Sequence, residues 1–409
     1  MRILYLPSYF FPEKAAGSYL NDNRNQAFAD AGFDITTITP TPCRGISLEQ
    51  RMEYCTQEHR REMMYGGRME VFRFRLFPEG KNPILRALRY SLCWIKQFNR
   101  GLRVKNVGCI YLASTPPIQG VLGVILKKLK KIPFVYNLQD IFPDSLVGTG
   151  LAKKGGLLWI LGREIENYTY RNADRIIVIS EDFKKNIMAK GVPEEKIEVI
   201  YNWVDEKAVQ PVSKENNPLF EEFGLDRKQF TVVYAGNLGN AQNISIILDA
   251  AYMLPGIQFA VFGTGGMENE IRSRIEKEGL INMHLNPLQP RERVSQVYSL
   301  GDACIVSCKA GLGGSAMPSK TWTIMSCGRP VIASFDEGEL KDTLEKNDCG
   351  LFSHAGNVQE LVEAIKMLAA TPKRCEEMGK NARRFIEENL TKEIGTRRYV
   401  DVIKSFEKK

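Results

Sequence analysis

The stretch "FTVVYAGNLGNAQN" at residues 230–243 decides the fold. Residues 230–235 form a short apolar and β-branched run, which is typical of a buried parallel strand. The run enters Gly236-Asn237-Leu238-Gly239, and a helix-length segment follows. The glycines allow a tight turn and let a phosphate approach the N–H groups at the helix start. A purely structural turn has the same pattern, so this loop alone leaves both interpretations open.

The pattern recurs twice in the same half of the chain. A second predicted strand, residues 258–262, enters Gly263-Thr264-Gly265-Gly266 before another helix. A third loop, residues 311–320, precedes a predicted helix over residues 321–327 and ends in Lys320. A cation at a helix N-terminus opposes the helix dipole, which favours an anion such as a diphosphate beside it. The simpler alternative is a solvated lysine.

Short β-branched or apolar runs alternate with helix-length segments along all 409 residues, which predicts parallel sheets covered by helices. The runs are residues 3–6, 35–39, 71–76, 109–113, 134–138, 176–179 and 197–201, then 230–235, 258–262, 283–285, 303–307, 331–334 and 351–353. A polar, proline-containing stretch, residues 205–227, predicts a linker. The fold class is therefore α/β, with two Rossmann-like, doubly wound domains facing each other across a cleft. Ligands of such sheets bind beyond the carboxyl ends of the strands.

Carboxylates follow one of the predicted strands in the first half. Asp140 and Asp144 come directly after residues 134–138. Asp140 is suited to orient a hydroxyl or to balance a developing positive charge, and the alternative is a loop aspartate that caps a turn. The three histidines lie in no triad or metal-ligand pattern, and the nine cysteines form no CxxC pair. Hydrolase triads, zinc sites and a disulfide framework are therefore disfavoured, and a reducing cytoplasm is the expected location.

The positive charge is concentrated in the first half. Residues 1–205 hold 30 Lys and Arg against 21 Asp and Glu, and residues 80–139 contain no acid and 11 bases. Within this stretch, residues 83–105 predict an amphipathic helix that carries Trp94. Such a helix can lie on an anionic membrane surface, and a core-packed helix with a solvated basic face is the alternative. No nucleic-acid-binding motif accompanies the charge.

The chain resembles GT-B glycosyltransferases of family 4 over nearly its whole length. The segments that carry the resemblance are "YLPSYFFPE…AGS", "NLQDIFPDS", "VISEDFKKNIMAKGVPEEKIEVIYNWVD", "VVYAGNLGNAQN", "VFGTGG" and "MPSKTWTIMSCGRPVIAS". The most similar subgroup is that of bacterial O-antigen and capsule N-acetylaminosugar transferases. The resemblance implies a retaining, metal-free enzyme without a cofactor. Its substrate would be a nucleotide sugar, and UDP is the expected nucleotide.

The resemblance also implies a division of labour between the domains. Residues 1–205 would bind the acceptor, residues 206–391 would bind the nucleotide sugar, and a helix at about residues 392–409 would cross back to the first domain. Asp140 would be catalytic, and Glu13, Lys14 and Asp144 would lie on the acceptor side. The implied donor-binding residues are Gly17, Gly236, Asn237, Gly239, Gly263, Thr264, Gly265, Lys309, Ser315, Ser319, Lys320 and Thr323.

Two departures from the family pattern leave the function open. Relatives often carry two Glu where this chain has Ser315 and Thr323, and the second of them normally holds the donor ribose. Asp336 or a neighbouring acid is a possible replacement. The first hypothesis is a transferase that acts on a lipid-linked glycan at the inner face of the plasma membrane. The alternatives are a non-catalytic GT-B partner subunit and a GT-B sugar-nucleotide epimerase.

Overall fold

The computed structural model describes residues 1–13, 17–80, 82–144, 153–313 and 317–407. The chain forms two compact units. The first contains Met1–Tyr201 together with Glu393–Lys409, and the second contains Asn202–Lys392. Lys14 and Ser315, which the sequence places on the acceptor and donor sides, lie outside the described residues.

In the described part of the first unit, eight strands form one sheet in the order β3-β4-β2-β1-β5-β6-β7-β8. The strands are β1 (Arg2–Tyr5), β2 (Asp34–Pro40), β3 (Arg61–Met64), β4 (Met69–Phe74), β5 (Cys109–Ala113), β6 (Phe134–Leu138), β7 (Arg175–Val178) and β8 (Ile197–Val199). The helices are α1 (Ser18–Asp30), α2 (Leu48–Glu53), α3 (Pro83–Arg103), α4 (Gln119–Lys130), α5 (Leu157–Asn172) and α6 (Glu181–Met188). The β3–β4 pair is antiparallel, and the other neighbouring strands pair in parallel.

The second unit contains a parallel sheet of six strands in its described residues, in the order β11-β10-β9-β12-β13-β14. The strands are β9 (Thr231–Asn237), β10 (Gln258–Thr264), β11 (Met283–Asn286), β12 (Ala303–Ser307), β13 (Val331–Phe335) and β14 (Gly350–His354). The helices are α7 (Leu219–Glu222), α8 (Ser245–Met253), α9 (Glu268–Glu278), α10 (Val294–Ser299), α11 (Lys320–Ser326), α12 (Glu339–Lys346), α13 (Val358–Ala370) and α14 (Pro372–Asn389).

The last helix, α15 (Lys392–Lys404), belongs almost entirely to the first unit. Its Tyr399 hydroxyl donates to the amide oxygen of Asn137 on β6 at 3.1 Å. Arg398 pairs with Glu198 on β8 at 2.8 Å. The carboxyl-terminal segment therefore returns to the unit in which the chain began.

Two doubly wound α/β units agree with the sequence prediction, and the differences from it are local. The sequence misses β3, whose residues Arg61-Glu-Met-Met lack β-branched or aromatic side chains. This strand is held by its antiparallel register with β4, in which Arg61 pairs with Phe72 and Met64 with Met69.

The prediction of a linker over residues 205–227 is wrong. The segment lies in the second unit, and Asn217, Leu219 and Phe220 are completely buried. The side-chain amide of Asn217 donates to the carbonyl of Gln296 at 2.7 Å, and its oxygen accepts from the N–H of Leu219 at 3.1 Å. From composition alone, a polar residue that is hydrogen-bonded inside the core cannot be distinguished from a polar residue in a loop.

Close packing of α4 depends on two glycines. A Cβ built on Gly123 would lie 2.3 Å from the Phe134 ring on β6, and one on Gly120 would lie 2.4 Å from Thr169 on α5. Phe134 is fully buried and cannot move into solvent. The two glycines therefore set how closely α4 approaches the sheet and α5.

We expect Gly123→Ala to destabilise the first unit by about 1–3 kcal/mol, because the added methyl overpacks a dense core. Chemical denaturation followed by circular dichroism measures the loss. Gly80→Ala is the matched control, since a Cβ at Gly80 meets nothing within 4 Å. Equal stability of the two variants would contradict the packing argument.

Candidate active site

The first glycine loop lies at the carboxyl ends of β9 and β10, and both strands run further than the sequence predicts. Gly236 pairs with Gly263, and Asn237 pairs with Thr264. A Cβ on Gly263 would lie 2.4 Å from the Gly236 carbonyl oxygen, and one on Gly265 would lie 2.5 Å from the Leu238 carbonyl oxygen. These two glycines are therefore required by backbone-to-backbone packing. That requirement exists with or without a ligand.

Gly236 differs from Gly263 and Gly265, because a Cβ built on it would point at a charged side chain. Its φ of 147° lies in a region that favours glycine. A Cβ at this position would lie 2.8 Å from the Lys320 Nζ atom. The bare backbone of Gly236 thus leaves room for the lysine at the end of β9.

Lys320 begins α11 and extends towards Tyr234 on β9. Its Nζ atom donates to the Tyr234 hydroxyl at 3.1 Å and lies 4.2 Å from the centre of that ring. The Tyr234 hydroxyl donates in turn to the Asn237 carbonyl at 2.8 Å. Among the residues that the structure describes, no carboxylate pairs with Lys320, and burial lowers the pKa of its ammonium group to about 8. A partly desolvated cation without a counter-charge favours an anionic ligand.

Asp336 holds the third loop. Its carboxylate accepts from the N–H of Gly311 at 3.1 Å and from the N–H of Gly313 at 2.7 Å. The N–H of Lys309, at the start of the loop, donates to the Ala241 carbonyl at 2.8 Å, and the Lys309 side chain is exposed. Asp336 therefore acts as a support for the loop, and both of its carboxylate oxygens are used.

The two other residues predicted on α11 are sparsely bonded. Ser319 precedes the helix and is exposed, and Thr323 lies one turn further along. The Thr323 hydroxyl donates to the Ser319 carbonyl at 3.5 Å, which is a long and weak contact. Thr323 thus presents a neutral hydroxyl on the turn that follows Lys320.

The residues predicted on the acceptor side lie in the loops that follow β1 and β6. Glu13 is buried, and its carboxylate accepts from the N–H groups of Phe10, Cys43 and Arg44 at 2.8–2.9 Å. Those three bonds join the loop after β1 to the loop after β2. Gly17 caps the N-terminus of α1 and is exposed. The structure gives Glu13 a supporting position, which the sequence did not indicate.

Asp140 and Asp144 occupy different environments in the loop after β6. Desolvation by the surrounding protein raises the pKa of the Asp140 carboxyl, although the residue keeps solvent access. The Asp144 carboxylate accepts from Arg163 at 2.6 Å and from Lys190 at 2.8 Å. Burial raises the pKa of Asp144, but these two cations outweigh it and hold the pKa below its usual value. Asp144 thus anchors the loop, and Asp140 is the carboxylate that is available for chemistry.

Sequence reasoning missed two residues near these loops. Tyr234 accepts a hydrogen bond from Lys320. It could have been found in the sequence as the aromatic residue two positions before Gly236. Arg24 on α1 is buried between the rings of Tyr5 and Tyr111 and donates to the Tyr111 hydroxyl at 2.9 Å. Its buried position has no signal in the sequence, because α1 has almost no amphipathic pattern. No group of three or more acidic, cysteine or histidine side chains in the described ranges is arranged to hold a metal ion.

Comparison with known protein families identifies the family to which this chain belongs. The family "Glycosyl transferases group 1" matches residues 215–385, and "Glycosyltransferase Family 4" matches residues 25–208. The chain belongs to the family 4 glycosyltransferases and has the GT-B fold. The family assignment explains why glycine loops and a lysine occupy the carboxyl end of the second sheet, where ligands of doubly wound sheets bind.

Relatives agree with the family assignment, and solved structures share the fold. The chain is 27% identical over 289 residues to WcaI of Escherichia coli (strain K12), a glycosyl transferase provisionally assigned to colanic acid biosynthesis, and the match covers 68% of this chain and 70% of the relative. A sucrose-phosphate synthase from Thermosynechococcus elongatus superposes with a TM-score of 0.80 at 16% identity, covering 99% and 98% of the two chains. The Anabaena protein HepE, solved in complex with UDP, superposes with a TM-score of 0.74 at 17% identity, covering 99% and 100%. This family 4 glycosyltransferase is thus related to enzymes of bacterial surface polysaccharide synthesis.

Proposed function

We propose that this enzyme is a retaining glycosyltransferase that moves a hexose or N-acetylhexosamine from a UDP-linked sugar to a lipid-linked glycan in bacterial surface polysaccharide synthesis. The observation that carries the proposal is Lys320, an unpaired cation among the described residues, held at the end of β9 beside the bare backbone of Gly236. A diphosphate supplies the counter-charge that this position lacks. UDP is favoured as the nucleotide because HepE, which shares the fold, was solved with it.

The proposed roles of Lys320 and Asp140 follow from where charge develops as the sugar–diphosphate bond breaks. Breaking the bond between the sugar and the diphosphate leaves negative charge on the diphosphate and positive charge on the sugar ring. Lys320 stabilises the first charge, and its partial desolvation makes that stabilisation stronger than it would be in water. Asp140 stabilises the second in its ionised form. The ribose is held by neutral donors, with Thr323 among them, in place of the carboxylate that relatives use.

The acceptor proposal rests on the relative and on the surface of α3. WcaI is provisionally assigned to colanic acid biosynthesis. On α3, the apolar side chains Ile84, Leu85 and Leu88 are 78%, 49% and 49% exposed. No described helix is long and apolar enough to cross a membrane. We propose that the first turns of α3 dock on the anionic inner face of the plasma membrane and bring the enzyme to its lipid-linked acceptor.

The basic residues of 80–139 contribute less free charge than the sequence suggests. Arg89 is completely buried, where its guanidinium donates to the Phe77 carbonyl at 3.0 Å, so it cannot contact lipid. Arg86 pairs with Glu79 at 2.9 Å, Lys127 pairs with Asp174 at 2.8 Å, and Lys96 donates to the Arg75 carbonyl at 2.8 Å. Apolar insertion by α3 is therefore the larger part of the proposed docking.

We expect Lys320→Ala to weaken UDP binding by about 1.5–3 kcal/mol, the range for a hydrogen bond to a charged group. Because the pKa of Lys320 is about 8, binding at pH 8 should draw a proton onto the lysine, and affinity should fall as pH rises from 7 to 9. Calorimetry in two buffers of different ionisation enthalpy measures both effects.

Two further variants sharpen this test. Lys320→Met keeps the apolar stem and should lose the proton uptake, whereas Lys277→Ala, an exposed lysine of α9, should bind like the parent. UDP binding of parental strength and pH dependence in Lys320→Met would refute the phosphate role. Tight binding of UDP-sugars without any turnover would instead favour the non-catalytic subunit.

We expect Asp140→Asn to lower turnover tenfold or more and to leave the affinity for the UDP-sugar nearly unchanged, since Asp140 acts on the transition state. The raised pKa of Asp140 should set the acidic limb of the pH–rate profile, because the carboxyl must lose its proton to act, and the variant should lack that limb. UDP release at saturating donor is the assay. Asp30→Asn, an exposed carboxylate on α1, is the control. If Asp140→Asn turns over at the rate of the parent, Asp140 has no catalytic role.

We expect the double variant Ile84→Ser/Leu88→Ser to lose at least tenfold in binding to vesicles that contain phosphatidylglycerol, because each buried apolar side chain contributes about 1.5–3 kcal/mol. Co-sedimentation measures the bound fraction, and binding should weaken in high salt as charges are screened. Ile281→Ser, with a side chain 90% exposed in the second unit, is the control. Failure of the parent to bind anionic vesicles would exclude the docking and indicate a soluble acceptor.

A further inference from the structure

A cavity, which we call the arginine cavity, lies on one face of the first sheet beside the carboxyl-terminal end of α3. Its volume is about 390 Å³, within the range of small-molecule sites. It is lined by Arg2, Thr36, Ile38, Glu70, Phe72, Arg100, Arg103 and Val104. In the β2–β4 register, Thr36 pairs with Glu70 and Ile38 with Phe72, so these four side chains share a face.

The arginine cavity is separate from the candidate active site. Arg2 is the first residue of β1, and Val104 follows the last residue of α3. Asp140 and Asp144 follow the carboxyl end of β6, and Lys320 belongs to the second unit. Nothing in the proposed transfer reaction accounts for three arginines at this position.

The three arginines of the cavity outnumber its one described carboxylate. Within the described ranges, Arg2, Arg100 and Arg103 form no salt bridge. Glu70, the single carboxylate in the described wall, already accepts from Arg61 Nε at 2.6 Å. Asp34, the register partner of Arg2, pairs with Arg68 at 3.1 Å.

Ordinary helix electrostatics explain only part of this cluster. Cations in the last turn of α3 complement the helix dipole, which accounts for Arg100 and Arg103. Arg2 comes from β1 and gains nothing from that dipole. Burial lowers the pKa of Arg100, and the charges of Arg103 and Arg60 lower it further, which is the mark of like charges held together.

The groups have the chemistry of a phosphate site with an apolar floor. A guanidinium presents parallel N–H donors that match two oxygens of a phosphate. The Arg100 and Arg103 side chains keep solvent access, so an anion can reach them. Ile38 and Phe72 offer an apolar surface beside the donors.

We propose that the arginine cavity binds the phosphate group of a second ligand, distinct from the nucleotide sugar. Arg2, Arg100 and Arg103 hold the phosphate, and Ile38 and Phe72 contact the carbon skeleton next to it. A soluble phosphorylated metabolite and the phosphate of an anionic lipid headgroup share this chemistry.

Pyrophosphate, titrated by calorimetry into the full chain, tests the site. The Lys320→Met background removes the proposed donor contact, so that remaining binding reports the arginine cavity. In that background, Arg100→Gln/Arg103→Gln should weaken pyrophosphate binding at least tenfold. The control Lys105→Gln removes an exposed charge two residues beyond Arg103 and should change the affinity less than twofold.

Two results overturn the proposal: pyrophosphate binding that vanishes in Lys320→Met alone, and binding that survives the double arginine substitution within twofold. Thermal unfolding of each variant shows whether it is folded, and the single Arg103→Gln variant should give an intermediate loss. Failure of UDP binding to depend on Lys320 would refute the proposed function and leave this result standing.

A competition experiment identifies the source of the phosphate. Phosphatidylglycerol vesicles that displace pyrophosphate, and that bind Arg103→Gln more weakly than Lys105→Gln, assign the cavity to a lipid headgroup. Displacement by glycerol 3-phosphate or glucose 1-phosphate, without an effect of vesicles, assigns it to a soluble metabolite. Displacement by neither class would refute a phospholipid headgroup and a sugar or glycerol phosphate as the ligand.

Discussion

The contact between the backbones of β9 and β10 is the constraint on which the second unit depends. Gly236 and Gly263 are the paired residues at which a Cβ on one strand would collide with the carbonyl of the other. Because position 263 is glycine, the strands continue in parallel register to Asn237 and Thr264, and their loops leave the sheet at one edge. Lys320 can then reach Tyr234 from α11. A side chain at Gly263 would separate the strands and displace every group that follows them.

The first unit stabilises buried cations mainly with neutral groups. Arg24 rests between aromatic rings and donates to a tyrosine hydroxyl, and Arg89 donates to a carbonyl and to the Cys43 sulfur. Neutral acceptors leave the net charge of the unit positive, whereas carboxylates would cancel it. Arg24 and Arg89 are thus two basic residues of the first half that lie inside the unit and support its structure. The arginine cavity differs, because its Arg100 and Arg103 keep solvent access.

The sequence predicts the architecture well because strand and helix periods dominate it. Residues 109–113, 134–138 and 303–307 coincide with β5, β6 and β12, since each is a mostly apolar run bounded by loop residues. The sequence does not predict β3, because its pairing, and not its composition, makes it a strand. The linker prediction for residues 205–227 fails because the burial of Asn217 depends on the Gln296 carbonyl, which is remote in sequence. The same limit applies to the site. Lys320 is found from its position at a helix start, but the sequence places Asp144 and Glu13 on the acceptor side and does not reveal the hydrogen bonds that give them supporting positions.

The environment of Lys320 also changes its covalent chemistry. An ordinary lysine is well under 1% unprotonated at pH 8, because its pKa is about 10.4. With a pKa of about 8, Lys320 has a free amine for roughly half of the time at that pH. A free amine is a nucleophile, and an ammonium group is not. In the empty enzyme this side chain is consequently acylated or carbamylated more easily than a lysine of ordinary pKa would be, and an anion in the site would shield it by restoring its proton.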